Sequence, residues 1–231
     1  KTFKTSVVKE AVQMVKANKT TNKSTDITTI LDRSGSMGRI HEQVIRSFND
    51  FLAEQKAVEG EAKISLIQFD DQYEVNYEGI DIQKAEDLNA TTYMPRASTA
   101  LNDAIGRTIT NMKVRLKDTN DNVVVVITTD GMENASVEYS RSQIREMIKE
   151  CEEKLGWKFM YLAADDASFD EYEGMGMERG RSFKSGRGRR GYDNAAKLMS
   201  AKIAGYRAHE MDEYLDFTEK ERKDADDIGD E

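Results

Sequence analysis

Three short stretches of this chain carry oxygen-rich side chains at spacings that suit metal chemistry. The first is Thr28-Thr29-Ile30-Leu31-Asp32-Arg33-Ser34-Gly35-Ser36-Met37, in which an apolar run ends in Asp-x-Ser-x-Ser. One carboxylate and two hydroxyls therefore fall within a single turn, and such hard, small oxygens suit Mg²⁺ and similar ions rather than zinc or copper. The second, Ser98-Thr99-Ala100-Leu101-Asn102-Asp103-Ala104-Ile105, puts a threonine at the mouth of a helix. The third, Val123-Val124-Val125-Val126-Ile127-Thr128-Thr129-Asp130-Gly131, is a buried-type strand that ends in Asp-Gly. Taken singly, Asp32 also suits a turn cap, the serines are ordinary turn residues, and Asp130-Gly131 is a common turn pair. The signal lies in all three occurring together, in this order, on these elements.

The elements that must position these residues alternate along the chain. Strands are expected at 26–31, 63–69, 72–78, 122–128 and 157–163, with an edge strand at 181–184. Helices are expected near 39–57, 99–116, from Ser140, near 165–174, and at 192–207. Each is read from apolar spacing: Ile40, Val44, Ile45, Phe48 and Leu52 share one helical face, and Leu101, Ile105, Ile109, Met112 and Leu116 another. A Ser-x-x-Gln capping box opens the helix at Ser140. Strands separated by helices of this length need crossover connections. The expected fold is thus α/β, a doubly wound, mostly parallel sheet with helices on both faces and one antiparallel edge strand, turned at Asp70-Asp71. In such sheets ligands bind beyond the carboxyl ends of the strands where the strand order reverses. With order 3-2-1-4-5-6 that crevice lies between the first and fourth strands, which end in Asp32 and Asp130.

In motif and in order, the three stretches resemble the metal-ion-dependent adhesion site of von Willebrand factor A domains, and the likeness spans roughly residues 26–165. The stand-alone, cysteine-poor form looks like that of bacterial or phage intracellular members. The resemblance implies a metal site of Asp32, Ser34, Ser36, Thr99 and Asp130. Ser34, Ser36 and Thr99 would be direct hydroxyl ligands, and the two aspartates would act largely through bound waters. Mg²⁺ is the implied ion, with Mn²⁺ or Ca²⁺ as alternatives. Neutral hydroxyls leave a dication underneutralised, so an exchangeable position would take an Asp or Glu carboxylate from a protein partner. One departure stands out: the loop before Thr99 reads Arg96-Ala97-Ser98 where many relatives have a glycine, which stiffens it.

Composition bounds the alternatives. The 231 residues carry a net charge of −9, with 38% hydrophobic and 33% charged side chains, enough for one core. Residues 210–231 hold eleven acidic and three basic side chains, so most of the net charge sits there. The expected organisation is a basic extension with a short helix at 1–25, the α/β domain at 26–207, and a solvated acidic tail at 208–231. No apolar run approaches the ~20 residues that span a bilayer, and no leader is visible. With Cys151 the single cysteine, this suggests a reducing, cytoplasmic setting. Two histidines and one cysteine are too few for the usual zinc sites.

Enzyme chemistry lacks its parts. No G-x-S-x-G frames Ser34 or Ser36, no phosphate-cradling G-x-x-x-x-G-K-[ST] is present, and His41 reads as a surface residue. Met37, Tyr93, Met94 and Met132 flank the metal motifs and are expected as an adaptable contact rim for the partner. Arg179–Arg190 is rich in Arg and Gly. There Arg187, Arg189 and Arg190 offer charge to nucleic acid or another polyanion, with Phe183 able to stack a base. The bland alternative pairs that segment with the chain's own acidic tail. A further alternative is a structural subunit held in an assembly by its terminal extensions.

Overall fold

A computed structural model of the chain describes residues 23–163, 175–177, 179–185 and 188–226. The expected short helix of the basic extension and the one near 165–174 lie outside these residues. Six strands form one sheet in the order β3-β2-β1-β4-β5-β6. They are β1 (Thr25–Asp32), β2 (Ala62–Phe69), β3 (Tyr73–Asp81), β4 (Asn122–Thr129), β5 (Lys158–Ala163) and β6 (Ser182–Lys184). All neighbours run parallel except β2 and β3, whose antiparallel ladder makes β3 an edge strand. Five helices flank the sheet among the described residues: α1 (His41–Ala57), α2 (Leu101–Arg115), α3 (Arg141–Leu155), α4 (Gly188–His209) and α5 (Glu219–Asp226). No helix among them is long and apolar enough to cross a membrane.

Alternation along the central strands splits the core in two. Ile27 and Leu31 of β1 and Val124 and Val126 of β4 face α1 and α4, packing with Phe48, Leu52, Ala195 and Ile203. Ile30, Val123, Val125 and Ile127 face α2 and α3, packing with Ile105, Ile109, Ile144 and Cys151. Burying both sheet faces leaves the loops at the strand ends as the surface where polar side chains gather. The capping box of α3 is present, with the Ser140 hydroxyl accepting from the Gln143 amide and the Gln143 side chain returning to the Ser140 amide.

Of the boundaries that differ from the sequence reading, three bear on the site and the tail. A 3₁₀ turn at Gly35–Ile40 precedes α1, so the serines sit on a tight turn ahead of the helix. The helix after Thr99 begins at Leu101, which leaves Thr99 on the loop. The acidic segment is packed at its start: Leu215 and Phe217 are buried and join the core facing α4. The Phe217 amide donates to the Gly180 carbonyl at 2.8 Å. Residues 208–217 therefore pack against the body, with Leu215 and Phe217 as the apolar anchors of an otherwise acidic run.

Candidate metal centre

β1 and β4 are adjacent, so their exits converge as the strand order requires. Asp32 is fully buried, and Ser34, Thr99 and Asp130 are nearly so. The tight turn is held by Asp32 itself, whose Oδ1 accepts from the Ser34 amide at 2.6 Å. Its other oxygen, Oδ2, accepts from the Thr129 hydroxyl at 2.5 Å, which ties the ends of β1 and β4 together. Ser34 Oγ and Ser36 Oγ lie 3.1 Å apart, and the Ser36 hydroxyl donates to Asp130 Oδ1 at 2.5 Å. Thr99 is fixed by Asn134: its amide donates to Asn134 Oδ1 at 2.9 Å, and its carbonyl accepts from the Asn134 amide at 3.0 Å.

Gly131 shows how these groups are arranged. A Cβ built there would lie 3.0 Å from Thr99 Oγ1, 3.4 Å from Ser36 Oγ and 3.7 Å from Ser34 Oγ. Three hydroxyls from two separate loops thus surround one small space beside Asp130, kept open by the lack of a side chain at residue 131. Among the described residues no three His, Cys, Asp or Glu side chains cluster in a metal-holding geometry. Any dication held here must therefore take hydroxyl oxygens. Hard neutral oxygens backed by two carboxylates fit Mg²⁺ or Mn²⁺ in kind and in number, leaving room for waters.

Electrostatics point the same way. Burial pushes the Asp32 carboxyl up to about 6, against the hydrogen bonds from Thr129 and Ser34, and the charge of Asp130 adds to the rise. A carboxylate so far from water gains from a cation brought beside it. Asp130 Oδ2 already meets one, the guanidinium of Arg39 at 3.1 Å, on a side chain that is itself largely exposed.

The structure brings together all five residues expected as the metal set. It divides the expected rim. Met94 and Met132 are each 57% exposed, whereas Met37 and Tyr93 are fully buried and cannot contact a partner. Met37 fills the core under the 3₁₀ turn. Tyr93 donates its hydroxyl to the Asp32 carbonyl at 2.7 Å, so it braces the site from below. His41 Nε2 lies 2.9 Å from the Tyr93 carbonyl, and its ring stacks on Tyr93. It therefore buttresses the Tyr93 brace.

The basic segment is also corrected. Phe183 is buried against Phe217, with ring centroids 4.7 Å apart, and cannot stack a base. Buried Arg181 lies 3.7 Å from Asp216 and 3.8 Å from Asp212, and Lys158 also pairs with Asp212. Part of the basic stretch is thus held by the chain's own acidic segment. Arg187 lies outside the described residues, while Arg189 and Arg190 fall in the first turn of α4. Two contributors escaped the sequence reading. Thr129 was legible as a hydroxyl one residue before Asp130. Arg39 had no signal, since only the 3₁₀ turn aims it at Asp130.

The profile of the von Willebrand factor type A domain matches residues 26–189. Among solved structures, proximal thread matrix protein 1 from the mussel byssus is similar, with 14% identity and a TM-score of 0.57 over 80% of this chain and 46% of that one. The pilus adhesin SpaC from Lactobacillus rhamnosus GG has 11% identity and a TM-score of 0.60, over 79% of this chain and 30% of its own. The manganese-loaded TRAP protein of Plasmodium vivax has 12% identity and a TM-score of 0.51, over 75% and 72% of the respective chains. This chain thus spans less than half the length of the first two proteins. At such identities the likeness is one of fold. No curated protein sequence matches significantly.

Proposed function

Since the chain belongs to the von Willebrand factor type A domain family, we propose that it is a non-catalytic interaction module whose divalent ion captures an acidic side chain of a protein partner. One observation carries the reading: Ser34, Ser36 and Thr99 surround the side-chain position of Gly131, with Asp130 and Asp32 behind them. The three hydroxyls would hold Mg²⁺ or Mn²⁺, with Ca²⁺ a weaker fit. Asp32 and Asp130 would orient its waters and balance its charge. When bound, the ion supplies a positive centre that neutral ligands leave underneutralised, and the partner's Asp or Glu completes it.

The protein's own part is to hold these oxygens in place and to offer contact around them. Exposed Met94 and Met132, near Thr99 and Asp130 in sequence, would supply adaptable apolar surface. Arg39, paired with Asp130, adds positive charge beside it. The buried, lone Cys151 fits a reducing compartment such as the cytoplasm.

Calorimetric titration with MnCl₂ and MgCl₂ tests the reading. The wild type is expected to take up one ion, Asp130→Ala is expected to lose it, and capture of an acidic partner is expected to disappear in EDTA. A well-folded wild type that takes up neither ion ends the proposal. Capture that survives EDTA moves the function to another surface.

A further inference from the structure

The two loops that bring the hydroxyls come from distant parts of the chain, and one buried carboxylate lies between their supports. Asp70 follows β2 and is fully buried. Its Oδ2 accepts from Arg33 Nε at 3.1 Å and from Arg96 Nε at 2.7 Å. Its Oδ1 accepts from the Gln72 amide at 2.7 Å, and its carbonyl accepts from the Ala100 amide at 2.8 Å. Arg33 sits between Asp32 and Ser34, and Arg96 sits three residues before Thr99. The same loops touch directly, the Arg96 amide donating to the Arg33 carbonyl at 2.8 Å and the Gly35 amide to the Ala97 carbonyl at 3.1 Å. Between these contacts Ala97 is held at φ 56, a left-handed conformation that a residue with a Cβ resists. Such a conformation persists only when its surroundings over-determine it.

Resting on the metal-site reading above, we propose that Asp70 is the positioning residue of the site. Through Arg33 and Arg96 it sets the Ser34/Ser36 turn and the Thr99 loop at a fixed separation. Asp70 touches no ion itself. Its two guanidinium partners are the levers, and Arg96 is the one that can be changed without opening the core, since its side chain is 48% exposed.

Arg96→Gln separates this role from simple electrostatics by sign. Removing a positive charge near a dication favours the ion by Coulomb's law. Loosening the Thr99 loop disfavours it. Mn²⁺ affinity read by water-proton relaxation is expected to weaken about tenfold in Arg96→Gln, the usual scale for an outer support of a metal ligand. In a Thr99→Ala background the same substitution is expected to change little, because the ligand it positions is gone. Without metal, amide hydrogen exchange at Gly35 and Ala100 is expected to quicken in Arg96→Gln while β4 and β5 stay protected, and in Asp70→Asn to quicken by more than the global loss seen at β4 and β5.

Unchanged or tighter Mn²⁺ binding by Arg96→Gln overturns the proposal, as does equal weakening in both backgrounds. Unchanged exchange at Gly35 and Ala100 overturns it independently. A wild type that takes up no Mn²⁺ defeats the site reading instead, and the exchange measurement then decides the clamp alone.

Discussion

Asp32 and Asp70 leave neighbouring strands, β1 and β2, at the same end of the sheet, and both are fully buried. Their surroundings differ in one respect. Asp70 is met by two guanidiniums, which together with the Gln72 amide hold its carboxyl below the usual range despite burial. Asp32 is met by a hydroxyl and an amide, neither of them charged, and its carboxyl rises to about 6. A buried carboxylate that has its cations is a fastener; one without them carries a charge that a proton or a cation from outside would relieve.

Removing each charge should therefore act in opposite directions. Asp70→Asn leaves buried Arg33 with only the half-exposed Glu74, 2.6 Å away, as its counter-charge and is expected to cost about 1.5–3 kcal/mol in urea unfolding. Asp32→Asn removes an unpaired buried charge. Without metal at pH 7.5 it is expected to stabilise the fold by up to about 3 kcal/mol while abolishing metal uptake. If both substitutions destabilise alike, the contrast is false.

The pH profile sharpens the contrast next. For Asp32 the folded value lies above the unfolded one, so its contribution favours the fold fully below about 3.8 and is lost as pH rises through about 6. For Asp70 the folded value is depressed, so its contribution is present above the usual carboxylate range and is lost as pH falls through the folded value. Metal-free protein is expected to lose stability from pH 4 to pH 6.5 as Asp32 ionises, and saturating Mn²⁺ is expected to reverse that slope. Asp32→Asn should flatten it.

The smallest expected effect is at the loop that Asp70 clamps. Ala97→Gly relieves a left-handed Cβ but frees the unfolded chain, so thermal unfolding is expected to shift by less than about 1 kcal/mol. A larger loss would mean that the Ala97 methyl packs in a way the backbone angle does not explain.

Much of this molecule was legible in its sequence. Apolar spacing gave the strand and helix order, and parallel crossovers gave the sheet. The reversal point then put Asp32 and Asp130 at one crevice. Those inferences rest on local periodicity and on the few ways such elements connect. The exposure of single side chains was not legible, because it depends on what packs from elsewhere in the chain. Met37 and Tyr93 look like Met94 and Met132 in sequence, yet the first pair fills space under the turn and the second faces out. Phe183 and Arg181 read as an open basic stretch until Phe217, Asp212 and Asp216 close over them.

The sequence by itself determined the layered sheet and the convergence of Asp32 and Asp130 at its switch point, since both follow from periodicity and the few ways such elements connect. The hydroxyl set came from the resemblance to the family. Only the tertiary structure decided which buried aspartate found cations and which did not. Asp70 meets Arg33 and Arg96 across loop contacts spanning 26 to 37 residues, and no local pattern encodes so distant a pairing.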